Sequence, residues 1–156
     1  MRQIDVLLEK YGESHLNLTN KLIHWVCVPA IMFSLLSLLF CIPFFMERSF
    51  WANWAMVVLV FAWIYYARLS VSMLFGFVVI GGLMMWGIVS LYAMADFNIG
   101  RLALWAAIIF VVAWIGQFIG HKIEGKKPSF LEDLQFLLIG PAWLMHFIFK
   151  KIGIQY

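Results

Sequence analysis

The stretch from Leu22 to Phe45, LIHWVCVPAIMFSLLSLLFCIPFF, contains one histidine and no aspartate, glutamate, lysine or arginine. It exceeds the ~20 apolar residues a helix needs to cross the hydrocarbon core of a bilayer. In lipid every backbone N–H and C=O must be satisfied internally, which a helix does within one segment. This run therefore predicts a membrane protein built of helices. Outward from it the pattern repeats. Trp51 to Ala67 forms a second segment, with Trp51 and Trp54 at one end and Tyr65 and Tyr66 at the other, where an aromatic belt would place them. Val71 to Ala95 is a third, in which Gly76, Gly81, Gly82 and Gly87 allow close helix contacts. Leu102 to Gly120 is a fourth. Arg68 and Ser70 mark one tight polar turn, and Asp96, Asn98 and Arg101 another. Ahead of these segments, Met1 to Tyr11 carries Ile4, Leu7, Leu8 and Tyr11 at helical spacing between charges, the pattern of an amphipathic interfacial helix. Behind them, Ser129 with Glu132 makes a capping-type start. The apolar stretch Leu134 to Phe149 is interrupted by Gly140-Pro141, which suits a re-entrant or interfacial segment and a kinked fifth span alike.

Composition agrees. Of 156 residues, 65% are hydrophobic and 12% charged, against roughly 45–50% and 25% in ordinary globular domains. The length suits one domain, so residues 1–156 are expected to form a single all-α, polytopic transmembrane bundle of about four spans. The net charge of +3 comes from scattered residues with no nucleic-acid patch. The excess reads as orientation: Arg2, Lys10 and Lys21 flank the first segment, and Lys122, Lys126 and Lys127 follow the fourth. Each opposite loop holds one arginine, Arg48 or Arg101, beside an acid. Both lysine-rich flanks are expected on the cytoplasmic side. A cleavable signal peptide is not expected, because Asp5, Glu9, Lys10 and Glu13 precede any long apolar run. Cys27 and Cys41 fall in one predicted helix, about 21 Å apart at 1.5 Å per residue, too far for a disulfide.

The topology brings three of the four histidines, His15, His24 and His121, to one membrane face. Asn17, Asn20 and His24 are spaced i, i+3, i+7 on one helical face, and Gln117, His121 and Glu124 are spaced i, i+4, i+7 on another. His15 is half a turn out of phase with His24 on a straight helix. A turn between them is needed, and Asn17 and Thr19 are good helix caps. Polar faces at membrane depth are costly unless they meet partners, and these two are natural partners. Each residue has an ordinary role open to it: an interfacial histidine, a cap, an interhelical hydrogen bond, a solvated ion pair. Taken together they predict a site. Histidine nitrogens with a carboxylate suit Zn or non-haem Fe(II), so an iron oxygenase and a zinc hydrolase are both open. There is no Gly-rich phosphate loop and no Ser-centred nucleophile elbow.

Tyr11-x3-His15-x-Asn17-x2-Asn20-x2-Ile23-His24, followed by Val28-Pro29, resembles the N-terminal signature of the Mpo1-like family (DUF962). Trp114-Ile115-x-Gln117-Phe118-x-Gly120-His121, then Glu124 and Pro128, resembles its second signature, and Leu134 and Pro141 fit its C-terminal region. The middle segments match only in hydrophobicity. The resemblance implies an endoplasmic-reticulum membrane enzyme, or an inner-membrane one in a bacterium, that uses Fe(II) and O2 to shorten long-chain 2-hydroxy fatty acids by one carbon. It carries over His15, His24 and His121 as the essential, metal-binding histidines, with Asn17, Asn20 and Gln117 as supporting residues. Glu124 and His146 enter as additional ligands: the family's acid lies four residues after the histidine, here three, and His146 stands where relatives carry a glutamate. The implied partners are a lipid or fatty acid substrate and the membrane, with no nucleic acid. A zinc-dependent membrane lipid hydrolase and a non-enzymatic scaffold or transporter are the rivals. A desaturase of the histidine-box type is disfavoured, since clusters such as HxxxH and HxxHH do not occur.

Overall fold

The computed structural model describes residues 2–13, 15–125 and 138–155, and all regular structure among them is helical. The elements are α1 (Gln3–Gly12), α2 (Leu18–Cys41), α3 (Trp54–Leu69), α4 (Val71–Met94), α5 (Ile99–Glu124) and α6 (Ile139–Ile152). Lys126, Lys127, Pro128, Ser129, Glu132 and Leu134, each given a role above, lie outside the described residues.

Three helices, α2, α4 and α5, are long and apolar enough to cross a membrane, with 24, 24 and 26 residues. In each, only 22 to 28% of the most apolar window is buried inside the bundle. The rest faces outward as side chains such as Val26, Trp86 and Val112, each more than 60% exposed. Exposed apolar surface on this scale is unstable in water and ordinary in lipid. The chain is thus a membrane protein. The helix α3 is shorter, at 16 residues, so it reaches about 24 Å at 1.5 Å per residue.

Local signals fix the ends. Asn17, Asn53, Ser70 and Asn98 cap α2, α3, α4 and α5, each side chain accepting a first-turn N–H. Gly125, at φ 74°, closes α5 in the left-handed region that glycine enters freely. Arg48 donates to the carbonyls of Cys41 (3.3 Å) and Ile42 (3.5 Å), a cation at the C-terminus of α2. Arg101 pairs with Asp96 across the turn before α5.

Two placements differ from expectation. Tyr66 is 1% exposed, stacks on Phe77 at 3.7 Å and donates to the Leu138 carbonyl, so it is a core residue rather than part of an aromatic belt. Gly140-Pro141 opens α6 instead of breaking it. Pro141 is the third residue of that helix, where its missing N–H has no intrahelical partner to lose. The 14 residues of α6 are too few to span alone. Its apolar face packs against α1: Ile4, Leu8 and Tyr11 share one core with Trp143, Leu144 and Met145. A Cβ at Gly140 would stand 2.9 Å from the Tyr11 hydroxyl.

The closest pairing is α2 against α5. A Cβ on Gly116 would stand 2.6 Å from Cys27 Sγ, and one on Gly120 would collide with Asn20 Oδ1. These two glycines, four apart, form the small-xxx-small pattern that lets membrane helices approach closely. Replacing Gly120 by leucine is expected to separate the helices at the level of Asn20 and to cost roughly 1–3 kcal/mol of stability through overpacking. Thermal unfolding in detergent with helicity as the readout checks this. An unchanged midpoint would contradict the close packing.

The contact between Glu124 and the start of α2 places Lys21 and Lys122 at one end of the bundle. The positive-inside rule gives the expectation that this end is cytoplasmic. Single cysteines at Lys21 and Lys122 are expected to react with a membrane-impermeant maleimide from the same side, and labelling from opposite sides would refute this topology.

Candidate metal centre

The site is built where α2 begins and α5 ends. Asn17 accepts hydrogen bonds from the N–H groups of Thr19 (2.9 Å) and Asn20 (3.4 Å). That cap starts α2 and sets the chain bend that turns His15 back towards His24. The bend is held from the other side by Glu124, the last residue of α5. Its carboxylate accepts from Leu16 N–H at 2.8 Å, from Asn17 N–H at 3.0 and 3.2 Å, and from the Asn20 side-chain amide at 2.9 Å. A carboxylate taking backbone N–H groups ahead of a helix is favourable on both charge and hydrogen-bonding grounds.

Between these elements lie His15, His24 and His121, 2, 1 and 7% exposed. One nitrogen from each ring falls in a group whose members all lie within 4.8 Å of one another. The ring centroids are 4.2 Å apart for His15 and His24, 5.2 Å for His24 and His121, and 5.8 Å for His15 and His121. His15 Nδ1 donates to the Tyr11 carbonyl at 2.7 Å, and His24 Nδ1 donates to the Asn20 carbonyl at 2.9 Å. A carbonyl only accepts, so Nδ1 carries the hydrogen on both rings. In the neutral imidazoles Nε2 then holds the lone pair. This is the arrangement in which a backbone carbonyl fixes tautomer and orientation of a metal-ligating histidine.

An aromatic wall surrounds His15. The Tyr11 ring stacks on it at 4.3 Å, and Trp143 lies 5.2 Å away. Trp143 went unnoticed in the sequence, where nothing in local periodicity ties α6 to a histidine more than a hundred residues earlier. The 116–120 glycine pair was also missed, although its spacing was legible.

Of the candidate residues, the structure brings together His15, His24 and His121, with Asn20 (0% exposed) and Gln117 (6% exposed) buried beside them on α2 and α5. Asn17 is exposed and serves as the cap. Glu124 borders the site, with both oxygens engaged by the N-terminal turn of α2. His146 is elsewhere. It lines a separate cavity of about 330 Å³ with Asp5, Glu9, Gly12 and Trp143. Burial chiefly, and then Lys150, hold its pKa below the usual histidine value, partly offset by Asp5.

A divalent ion fits this donor set. Three imidazoles with open remaining positions is a catalytic rather than a closed structural pattern. Two nitrogens bound to one ion at ~2.1 Å each stand ~3.4 Å apart at a tetrahedral angle, so a separation as wide as 4.8 Å would close by roughly 1.4 Å on binding. Ligand chemistry alone does not choose between Fe(II) and Zn(II).

Comparison with known proteins supplies the remaining information. The chain is 28% identical over 145 residues to the 2-hydroxy-palmitic acid dioxygenase MPO1 of Saccharomyces cerevisiae, covering 92% of this chain and 78% of the yeast protein. No solved structure matches. The model of the family described as "2-hydroxy-palmitic acid dioxygenase Mpo1-like" matches residues 1–152, a span that takes in all three histidines, and the chain belongs to this Mpo1-like family.

Proposed function

We propose that this protein is an Fe(II)-dependent dioxygenase that shortens long-chain 2-hydroxy fatty acids by one carbon. The observation that carries the proposal is the convergence of His15, His24 and His121, buried and within 4.8 Å at their donor atoms, in a chain of the family described as 2-hydroxy-palmitic acid dioxygenase Mpo1-like. These three histidines would hold the ion. Glu124 is not assigned to it, because its oxygens already hold the Leu16–Asn20 turn, nor is His146, which lines a different cavity.

When bound, Fe(II) supplies one-electron chemistry with O2 and open positions for a carboxylate and its neighbouring hydroxyl. The protein's own residues do the rest. The Tyr11 and Asn20 carbonyls hold His15 and His24 in one tautomer. Tyr11 and Trp143 keep water from the His15 face. The Glu124 clamp keeps His15 in register with the α5 histidine. The balance closes without an external reductant: a 2-hydroxy acid and O2 give the acid one carbon shorter, CO2 and water. The C1–C2 bond breaks, and the four electrons removed from substrate reduce O2.

The zinc hydrolase reading uses the same three ligands, so the test must separate the two. Protein loaded with iron, and separately with zinc, is incubated with a long-chain 2-hydroxy acid with and without O2, and products are identified by mass spectrometry. Shortening by one carbon only with iron and O2 is expected. Shortening that persists anaerobically, or proceeds equally with zinc, overturns the proposal.

A further inference from the structure

We infer that the apolar cleft between α2, α4 and α6 seats the alkyl chain of the substrate and that Gly76 helps set the chain length it accepts. This inference rests on the fatty-acid reading above. Two cavities, of about 110 and 520 Å³, lie side by side and share Ile80, Met145 and Ile148 as common walls. On α2 the smaller one is lined by Trp25, Val28, Pro29 and Met32, spaced i, i+3, i+4, i+7 on one helical face. Val28 stands one turn from His24 along α2, so the cleft lies within about one helical turn of the histidine cluster. It then continues along α4 past Gly76 and Val79.

The lining decides the occupant. Of the lining side chains, Ser72 and Trp25 carry hydrogen-bonding groups: the Ser72 hydroxyl donates to the Gln155 carbonyl at 2.7 Å, and Trp25 offers a single indole N–H. A carboxylate placed here would meet no cationic side chain and at most one neutral indole N–H, which leaves a charge largely unpaired and is costly. An alkyl chain costs nothing of the kind. An acidic amphiphile entering the protein is therefore sorted, with its head to the histidines and its tail to the cleft. The combined space is in the range of ordinary small-molecule sites, roughly 300–1,000 Å³. Met32, Met84 and Met145 supply unbranched, adaptable walls. At Gly76 a Cβ would lie 2.9 Å from the Phe149 ring and 3.0 Å from Met145 Cε. Any side chain there displaces the α6 wall or fills the larger cavity.

The test uses the full chain in phosphatidylcholine nanodiscs, without added metal and without O2. A long-chain 2-hydroxy acid bearing a diazirine near its methyl end is photolysed, and adducts are mapped by mass spectrometry. Adducts are expected on Ile80, Met145 and Ile148, displaced by unlabelled 2-hydroxy acid. Adducts spread over outward-facing residues such as Phe61 and Trp86, and not displaced, would show a bulk bilayer tail and overturn the inference. Gly76→Leu is expected to shift the preferred chain length downward, losing about fourfold in binding per excluded methylene. If that variant does not fold, Ile80→Ala enlarges the cleft without adding atoms and is expected to shift the preference upward. An unchanged preference in the folded variant overturns the inference. The two proposals fail separately. Clustered, displaceable adducts in a protein that shortens no 2-hydroxy acid leave the cleft standing and remove the dioxygenase. Shortening with scattered adducts does the reverse.

Discussion

Replacing His121 by alanine is expected to abolish chain shortening and to lower bound iron by more than 100-fold, with little loss of helical content. The magnitude follows from position. Residues that merely orient a metal ligand cost 10–100-fold in affinity or activity when mutated, and His121 contributes a donor itself under this proposal. The fold survives because His121 lies in the last turn of α5, whereas α5 is anchored mainly by apolar contacts such as Leu102 and Ala106, both 0% exposed, and by the Gly116–Gly120 approach to α2. Iron content per chain and circular dichroism, measured on the same preparation, check both halves. Full turnover in a well-folded His121→Ala protein would remove this residue from the site.

Glu124→Ala is the second large effect. The substitution removes the acceptor for two backbone N–H groups and the Asn20 amide at once. The expected stability loss is only about 1–2 kcal/mol, since the carboxylate is partly in water and its bonds are screened. The expected functional loss is larger, 10–100-fold in iron affinity, because the freed turn carries His15. Glu124→Gln keeps one acceptor oxygen and is expected to recover part of that affinity. The split matters: a direct ligand would lose iron about as severely in the glutamine variant as in the alanine variant. Iron binding titrated under nitrogen for the three proteins decides it.

Much of this arrangement was legible in the sequence because the physics behind it is local or topological. Apolar runs gave the helices, and the placement of Leu22–Phe45 anticipated α2 to within a few residues at each end. Two long segments that start and end on one membrane face must bring His24 and His121 to the same depth. Asn17 as a cap explained how His15 turns back. What stayed hidden depended on three-dimensional neighbours. Glu124 looked like a ligand because a carboxylate near histidines suits a metal. That its oxygens meet Leu16 and Asn17 N–H groups is a consequence of how closely Gly116 and Gly120 let α5 approach α2. Tyr66 looked interfacial because aromatic residues often are, and its burial depends on two partners distant in sequence, the Leu138 carbonyl and the Phe77 ring. His146, on α6, turns towards α1 instead of the other histidines.

The most direct test of the central claim is the metal content of protein purified without chelator and reloaded anaerobically with Fe(II), compared between the unmodified chain and a variant with His15, His24 and His121 all changed to alanine. About one iron per folded chain in the former and none in the latter is the expected result. Equal iron in both proteins, or an unmodified chain that shortens 2-hydroxy acids with no metal bound, would contradict it.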